Sequence, residues 1–380
     1  MQLSLPGLVA ARIQSTPPLT PFIKWPGGKS GELAAIAAAA PPIAGRLIDP
    51  FVGGGSVLLA TPATVLAWAN DACRDLVRLY VGAARSDAGI IGALDAVAQT
   101  WDALGRLDGL VDALAAAFLA GAPEQTGTVL SGHLPALRRM VDGAGPGLAD
   151  PFEARLQRDL PTKFRRMRHV QAALGRDLST GDLHDNVEGA IRAAVYMAVR
   201  HRYNEARRRG RWDPWRTADF LFLREFAYAA MFRFNARDEF NVPYGGVSYN
   251  RKSLADKVAG MRTPAMVERL AATEWRDLDF ERFLVEAAPV AGDLVFVDPP
   301  YDSDFSAYDN QAFGAADQLR LRDVLETLPS RVMVVIKDTP LVRALYGTGR
   351  WSITEAAKTY MWTIKSRNDR SATHLTITNH

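Results

Sequence analysis

The residues with the clearest chemical meaning follow an apolar run late in the chain. Residues 295–297 are Val-Phe-Val, and Asp298, Pro299, Pro300 and Tyr301 come directly after them. Because proline has no N–H group and fixes φ, this turn leaves backbone carbonyl oxygens available as acceptors. A carboxylate oxygen, a carbonyl oxygen and a ring face together suit a planar base that carries an exocyclic amine. The motif therefore predicts a binding site for such a base.

A glycine-rich turn follows another apolar run and reads Asp49-Pro50-Phe51-Val52-Gly53-Gly54-Gly55-Ser56. Glycines at a strand end let the backbone turn tightly and approach a ligand closely. The dinucleotide fingerprint is incomplete because Leu58 occupies its last glycine position, so an ordinary tight turn stays an alternative. Asp71 lies 18 positions after Gly53. It either holds ribose hydroxyls of a nucleoside cofactor or caps the next helix.

A third motif, near the N-terminus, combines an aromatic ring with a cation. Trp25 is followed by Gly28, Lys29 and Ser30, which resemble the end of a phosphate-binding loop. The first glycine that such a loop requires is replaced by Ile23. The sequence therefore disfavours a kinase or an ATPase.

Short apolar runs bounded by turn residues predict the strands that must position these motifs. They lie at residues 46–48, 64–68, 293–297, 331–336 and 374–378, with helical patterns at 56–60, 72–84 and 316–328. Strands that alternate with helices predict a parallel α/β sheet. The last strand, beside a further one near 360–365, is expected to form an antiparallel edge.

The middle of the chain has a different pattern. Residues 81–120 are rich in alanine and leucine at helical spacing, 123–146 are broken by glycine and proline and predict a connector, and 150–232 are again helical. Basic residues cluster at 161–169 and, with interleaved aromatic residues, at 200–216. Such clusters suit contact with phosphates and bases, or form an ordinary solvated face.

Composition limits the classes of protein that remain. The 380 residues hold 45 Lys+Arg and 42 Asp+Glu, a net charge of +3, which excludes binding of a polyanion by the whole surface but permits a basic patch. Cys73 is the one cysteine, so an internal disulfide and a multi-cysteine zinc site are excluded. No apolar run is long enough for a membrane span, and the N-terminus predicts a flexible arm rather than a signal peptide. A cytoplasmic location is expected.

Four motifs in this order resemble the Dam-type N6-adenine DNA methyltransferases. They are Lys24-Trp25-Pro26-Gly27-Gly28-Lys29, the glycine-rich turn, Arg233-Phe234-Asn235 with Glu239-Phe240-Asn241-Val242-Pro243-Tyr244-Gly245, and Asp298-Pro299-Pro300-Tyr301. The implied fold is α/β: a Rossmann-like S-adenosylmethionine-dependent methyltransferase sheet with an inserted, mostly helical DNA-recognition domain. Residues 1–81 and 261–380 would form the catalytic domain, and 82–260 the insertion, with a hairpin near 228–245.

The resemblance implies methyl transfer from S-adenosylmethionine to N6 of an adenine flipped out of duplex DNA, without a metal. Asp298 and the Pro299 carbonyl would accept the amine hydrogens in a motif completed by Pro300, and Tyr301 would stack on the base. The residues implied for the cofactor are Trp25, Lys29, Asp49, Phe51, Gly53, Gly55, Asp71, Asp279, Phe280 and Asp298. Those expected to contact DNA are Tyr228, Arg233, Asn235, Arg207, Arg208 and Arg209.

Two departures from the family pattern stand out. Ala229 and Ala230 follow Tyr228 where Asn and Gly are usual, which puts a GATC target in doubt, and His374 replaces a usual acidic residue. Phe280 has a simple core position as its alternative. The functional alternatives are an adenine methyltransferase that acts on RNA and a non-catalytic DNA-binding relic. Asp298 argues against glutamine methylation, which usually uses Asn-Pro-Pro-Tyr. A bacterial or phage enzyme is expected, which is a monomer or weak dimer and has a cognate restriction endonuclease as a further expected partner.

Overall fold

The computed structural model describes residues 10–121, 123–300, 313–359 and 371–380. They divide into two compact units. The sheet unit takes Met1–Arg85 and Arg262–His380, and the helical unit takes Ser86–Met261. The helical unit therefore interrupts the sheet unit in sequence. No helix of the described ranges is both long and apolar enough to cross a membrane.

The sheet unit is built on one seven-stranded sheet, with elements numbered in chain order over the whole protein. Its strands are β1 (Leu47–Asp49), β2 (Ala67–Asn70), β3 (Thr273–Arg276), β4 (Leu294–Val297), β5 (Arg331–Lys337), β6 (Ser352–Thr359) and β7 (Ser371–Thr378). Their order is β3-β2-β1-β4-β5-β7-β6. The first five strands are parallel, and β7 is antiparallel to both β5 and β6. The predicted parallel α/β sheet is confirmed.

The differences from the sequence prediction lie at the edges of this sheet. The strand β3 has no apolar run, because it pairs only with β2 and its residues after Thr273 are partly exposed. Strand β6 begins earlier than the strand expected near 360–365, and those residues lie outside the described ranges. The antiparallel edge is present, with β7 between β5 and β6.

Helices flank the central strands and bury them. They are α1 (Leu33–Ala39), α2 (Ser56–Leu59), α3 (Arg74–Ala84), α11 (Pro264–Ala271), α12 (Phe280–Ala287), α13 (Ala315–Thr327) and α14 (Pro340–Tyr346). The run of β4, Leu-Val-Phe-Val, is buried throughout. Parallel strands covered on both faces need such continuous apolar runs. Val295 and Val297 pack in one core with Leu321 and Leu325 of α13.

The helical unit consists of seven α-helices within its described residues. They are α4 (Ala88–Ala103), α5 (Asp108–Leu119), α6 (Pro123–Asp142), α7 (Ala149–Leu174), α8 (Thr180–Arg208), α9 (Pro214–Phe226) and α10 (Ala255–Met261). The predicted connector at 123–146 is wrong, because α6 continues through Pro135. Leu130, Leu137 and Val141 are buried at helical spacing. Their packing outweighs the cost of about 3 kcal/mol for an interior proline.

A buried ion pair joins α8 to α9. The Arg202 guanidinium donates to both carboxylate oxygens of Asp219, at 2.6 and 2.8 Å, and also to the Ala144 carbonyl. The side chains of Arg202 and Asp219 are 8% and 0% exposed. Burial raises the pKa of Asp219, while Arg202 opposes that shift. The aspartate is therefore kept in the core by its guanidinium partner.

We expect Asp219→Ala to lower the free energy of unfolding by about 3–5 kcal/mol, because it leaves Arg202 buried without its counterion. Asp213→Ala is the control, since Asp213 caps α9 by accepting from the Arg216 N–H and pairs with the exposed Arg211, so its loss should cost about 1 kcal/mol. Urea denaturation followed by circular dichroism measures both values. Equal losses in the two variants would show that the buried pair has no special weight.

Candidate active site

The carboxyl ends of two adjacent parallel strands form the centre of the candidate site. Leu47 and Ile48 of β1 lie opposite Leu294 and Val295 of β4. The strand order turns in opposite directions from this pair, which is where α/β sheets bind ligands. Asp49 ends β1, and Asp298 follows β4.

An ion pair connects Asp298 to the N-terminal motif. The Lys29 ammonium lies 2.6 Å from Asp298 Oδ1 and donates a second hydrogen bond of 3.0 Å to the Gly27 carbonyl. The side chains of Lys29 and Asp298 are 2% and 19% exposed. A buried lysine held at two points fixes the orientation of the carboxylate that it contacts.

A residue that the sequence did not point to holds the next part of this turn. Gln318 of α13 is fully buried, and its Nε2 donates to the Pro300 carbonyl at 3.0 Å. Pro299 is buried, while Pro300 is half-buried. Tyr301 lies outside the described residues. Gln318 belongs to an ordinary helical pattern, so no local signal in the sequence marks it.

Two aromatic side chains explain the glycines of the turn after β1. A Cβ on Gly53, whose φ is +48°, would lie 2.6 Å from Cδ1 of Trp25. A Cβ on Gly55, whose φ is +72°, would lie 2.9 Å from the Tyr80 hydroxyl. Tyr80 donates to the Gly53 carbonyl at 3.0 Å. Both positions thus require glycine for conformation and for space, and the turn meets the N-terminal motif through Trp25.

Asp71 ties the glycine turn to the start of α3. Its Oδ2 accepts from the Gly53 N–H at 3.0 Å and its Oδ1 from the Cys73 N–H at 2.8 Å. The N-cap residue of α3 is Cys73, so Asp71 precedes the cap instead of forming it. The ribose role of Asp71 stays a prediction.

The Asp279-Phe280 pair lies at the start of α12. Asp279 caps this helix by accepting from the Glu281 N–H, and Arg320 donates to it at 2.8 Å. Phe280 is buried, and its ring centroid lies 5.5 Å from that of Phe51 and 5.7 Å from that of Phe313. The sequence did not single out Phe313. The cluster joins the turn after β1 to α12.

Carboxylates crowd the end of β1. Burial raises the pKa of Asp49 well above its usual value; the Phe51 N–H partly offsets this shift, and the charges of Asp298 and Asp71 add to it. An anion in this position is costly unless positive charge compensates it.

Among the described residues, no group of three or more His, Cys, Asp and Glu side chains could hold a metal ion.

His374, which stands where the family usually has an acidic residue, has a hydrogen-bonding partner outside its own strand. His374 of β7 is fully buried, and its Nδ1 lies 2.7 Å from Oε2 of Glu32. Glu32 is the N-cap residue of α1, and its N–H donates to the Lys29 carbonyl. The exchange of an acidic residue for histidine thus coincides with an acidic partner, which also adjoins the lysine of the ion pair.

In the helical unit, the segment expected to form a hairpin folds back on itself without regular strands. Antiparallel bridges join Ala227 to Tyr244 and Phe234 to Phe240. Tyr228 is 53% exposed. Three of the other residues expected to contact DNA, Arg233, Asn235 and Arg207, bond to neighbours inside the helical unit.

Arg233 is exposed and donates to Asn241, whereas the Asn235 side chain closes the turn by bonding to Glu239 and to backbone N–H groups. Arg207 pairs with Asp238 and lies over the Phe234 ring at 4.3 Å. Its side chain is only 12% exposed, so Arg207 braces the turn.

Arg208 and Arg209 occupy the exposed end of α8. Both side chains are 64% exposed, and both pair with Glu205. Ion pairs at the surface are weak and exchange readily for other anions. These two arginines therefore keep the exposure that phosphate contact requires.

Comparison with known proteins identifies the family of this chain. The family model of the D12 class N6 adenine-specific DNA methyltransferases matches residues 25–100 and 178–361, which is more than half of the chain. The chain belongs to this family, and the resemblance read from its motifs is confirmed.

Individual relatives include two DNA adenine methylases and a viral enzyme. The retron Ec67 DNA adenine methylase of Escherichia coli is 32% identical over 42% of this chain and 53% of its own length. The type II methyltransferase M.CviBI of Paramecium bursaria Chlorella virus NC1A is 26% identical over 49% and 72%. The DNA adenine methylase of Salmonella typhi is 30% identical over 40% and 54%. The chain thus spans about half the length of the two adenine methylases.

Asp49→Asn tests the crowding of carboxylates. Because the folded-state pKa of Asp49 is raised, its contribution to stability is full below its usual pKa of 3.8 and is lost as pH rises through the folded-state value. The stability advantage of the Asn variant should therefore grow from acid to neutral pH in urea titrations. Asp108→Asn removes a charge from an exposed helix start as control. An advantage that is independent of pH would contradict the raised pKa.

A second prediction concerns the two alanines after Tyr228. Ala229 and Ala230 have φ values of +52° and +53°, a left-handed conformation that costs alanine about 1–2 kcal/mol. Ala230→Gly should therefore raise the free energy of unfolding by about 1 kcal/mol in thermal or urea melts. Ala236→Gly, in the same segment but without a positive φ, is the control and should not stabilise. Stabilisation of both variants alike would remove the argument from strain.

Proposed function

We propose that the protein is a site-specific DNA adenine N6-methyltransferase that uses S-adenosylmethionine and acts on an adenine flipped out of duplex DNA. One observation carries the proposal: the Lys29–Asp298 ion pair, at the end of β4, beside the glycine turn that follows β1. A carboxylate held in this way can accept hydrogen bonds from an amine in a defined direction.

The donor set fits S-adenosylmethionine, a cationic nucleoside. Asp49, Asp71 and Asp298 lie near the turn after β1, where burial and the charges of the other two raise the pKa of Asp49. A cationic ligand beside them would favour their ionised forms and compensate their charge. Trp25, Lys29 and the turn with Phe51, Gly53 and Gly55 would hold its methionine end. Asp71 would bind the ribose, while Asp279 and Phe280 would lie beside the adenine ring. When bound, the cofactor supplies an electrophilic methyl group.

The chain's own residues prepare the target amine. The N6 amine is a weak nucleophile because its lone pair is delocalised into the adenine ring. Asp298 and the Pro299 carbonyl would accept its two hydrogens, orient the lone pair and stabilise the positive charge that develops on nitrogen. Lys29 orients Asp298, and Gln318 holds the adjoining Pro300 carbonyl. Tyr301 would stack on the flipped base.

Target recognition is assigned to the segment 228–245. Tyr228 and Arg233 are exposed there, and Asn235 shapes the turn from inside. Arg208 and Arg209 would contact phosphates, and Arg207 would act through the turn that it braces. Because Ala229 and Ala230 lack an amide group, the bases that flank the adenine should differ from GATC.

Two wider assignments belong to the same proposal. The protein is placed in the cytoplasm of a bacterial or phage-infected cell. A cognate restriction endonuclease is a further expected partner, since two type II methyltransferases are among the relatives. The enzyme would work as a monomer or weak dimer.

Asp298→Ala tests the mechanism. It should lower methyl incorporation into duplex DNA at least about 100-fold, because the amine loses an acceptor in the transition state. Asp277→Ala, which removes the half-buried partner of the exposed Arg74 in the same unit, should leave the rate unchanged. Radiolabelled methyl transfer measures both rates, and calorimetry with S-adenosylmethionine checks cofactor binding. Unchanged incorporation in Asp298→Ala would refute the mechanism.

The substrate class has its own test. In a competition between duplex DNA and RNA, methyl groups should enter DNA adenines within one short motif, which single-molecule sequencing of DNA from an expressing host reads directly. Preferential methylation of RNA would favour the first alternative function. Absence of both cofactor binding and methyl transfer would favour a DNA-binding relic.

A further inference from the structure

The segment between the two stretches that match the family model has not been assigned a role. It comprises residues 101–177 and contains α5, α6 and α7. These helices are an addition to the part of the chain that the family model describes. Their charges are nearly balanced, with ten Lys+Arg and nine Asp+Glu, so the segment as a whole is not basic.

The charges are separated along α7. Its second half, residues 160–174, contains Lys163, Arg165, Arg166 and Arg168 and no acidic residue. In its first half, Asp159 pairs with Arg155 and Arg158, and Arg138 of α6 pairs with Asp150 and Glu153. Acidic partners are thus confined to the first half of the helix.

Three of the four basic residues of the second half face solvent. Arg165, Arg166 and Arg168 are exposed, while Leu160, Phe164 and Met167 bury the other side of the helix. Within the described ranges, none of these three arginines forms an ion pair with an acidic group. Arg165 donates to Thr162, and Arg168 lies over the Phe118 ring at 5.5 Å.

This separation contrasts with the other arginine cluster. Of the basic residues at 200–216, Arg202, Arg207, Arg208, Arg209 and Arg211 all have acidic partners. The cluster on α7 instead places like charges side by side. The pKa of Lys163 is lowered by burial and, in addition, by the neighbouring charge of Arg166. The helix dipole does not explain the cluster, because it favours basic residues only within the last turn of a helix. Arg165–Arg168 lie before the last turn of α7, which ends at Leu174.

We propose that the exposed face formed by Arg165, Arg166 and Arg168 binds phosphates of duplex DNA outside the recognition sequence. This inference rests on the proposed function, which supplies the duplex. Charge complementarity favours a polyanion, since three unpaired guanidinium groups on one helix face match a row of phosphates. The face would add affinity without sequence preference and lengthen the stretch of DNA that the enzyme covers.

Exposed apolar residues further along α7 define the competing class of partner. Val170 and Leu174 are 45% and 53% exposed. Basic residues next to apolar ones also occur on surfaces that bind anionic membranes. His169 lies on the same exposed face as the three arginines, and Val170 is an apolar neighbour one turn after Arg166, so charge dominates the face and favours the nucleic acid.

The test compares two triple variants of the full chain that change the net charge equally. R165Q/R166Q/R168Q removes the unpaired face, and R138Q/R155Q/R158Q removes three arginines of α6 and α7 that have acidic partners. Binding to a duplex of G·C pairs, which contains no adenine to methylate, is measured over a range of salt concentrations. The magnitude of the slope of log K against log salt should fall by about 2.7 in the first variant and change little in the second. Over a fourfold rise in salt, the wild-type protein should therefore lose about 40-fold more affinity than the first variant.

Each outcome has one meaning. Equal slopes in the wild-type protein and R165Q/R166Q/R168Q, or equal losses in both variants, would overturn the inference. Selective loss of binding to phosphatidylserine vesicles, with DNA binding unchanged, would assign the face to a membrane and also overturn it. Methyl transfer by the wild-type protein is measured in parallel. If that activity is absent from every duplex, the proposed function fails, whatever the slopes show.

Discussion

The ion pair between Lys29 and Asp298 is the interaction on which the candidate site depends. It joins residues 269 positions apart and places a fixed carboxylate where β4 leaves the sheet. Trp25 reaches the glycine turn after β1 from the same N-terminal motif, so three separate segments meet at one edge of the sheet. The sheet order makes this possible, because β1 and β4 are neighbours although the helical unit separates them in sequence.

The crowding of carboxylates around this pair is unfavourable for folding and useful for binding. Asp49 is buried beside the charges of Asp71 and Asp298, and its pKa is raised accordingly. Such a site stores electrostatic free energy that a cationic ligand can release. Tyr80 and Asp71 use their polar groups to hold the glycine turn in place. The turn is therefore rigid before any ligand arrives, which lowers the entropic cost of binding.

The helical unit shows that similar basic clusters have different structural roles. Arg202 stabilises a helix pair, Arg207 braces a turn, and the arginines on the second half of α7 have no acidic partner among the described residues. Composition cannot distinguish these cases, because the partners come from other helices or from distant parts of the same helix. The number of arginines in a stretch is thus a poor measure of the charge that it presents to a ligand.

The sequence by itself determined the class of fold, the family and the main site motifs. Continuous apolar runs and turns rich in glycine or proline are local signals. They located β1, β4 and the residues that end these strands. Only the tertiary structure decided the rest: the edge strand β3, the continuation of α6 through Pro135, the roles of Gln318 and Phe313, and the pairing of His374 with Glu32. Each of these depends on contacts between residues far apart in the chain, and such contacts leave no periodic pattern in any single segment.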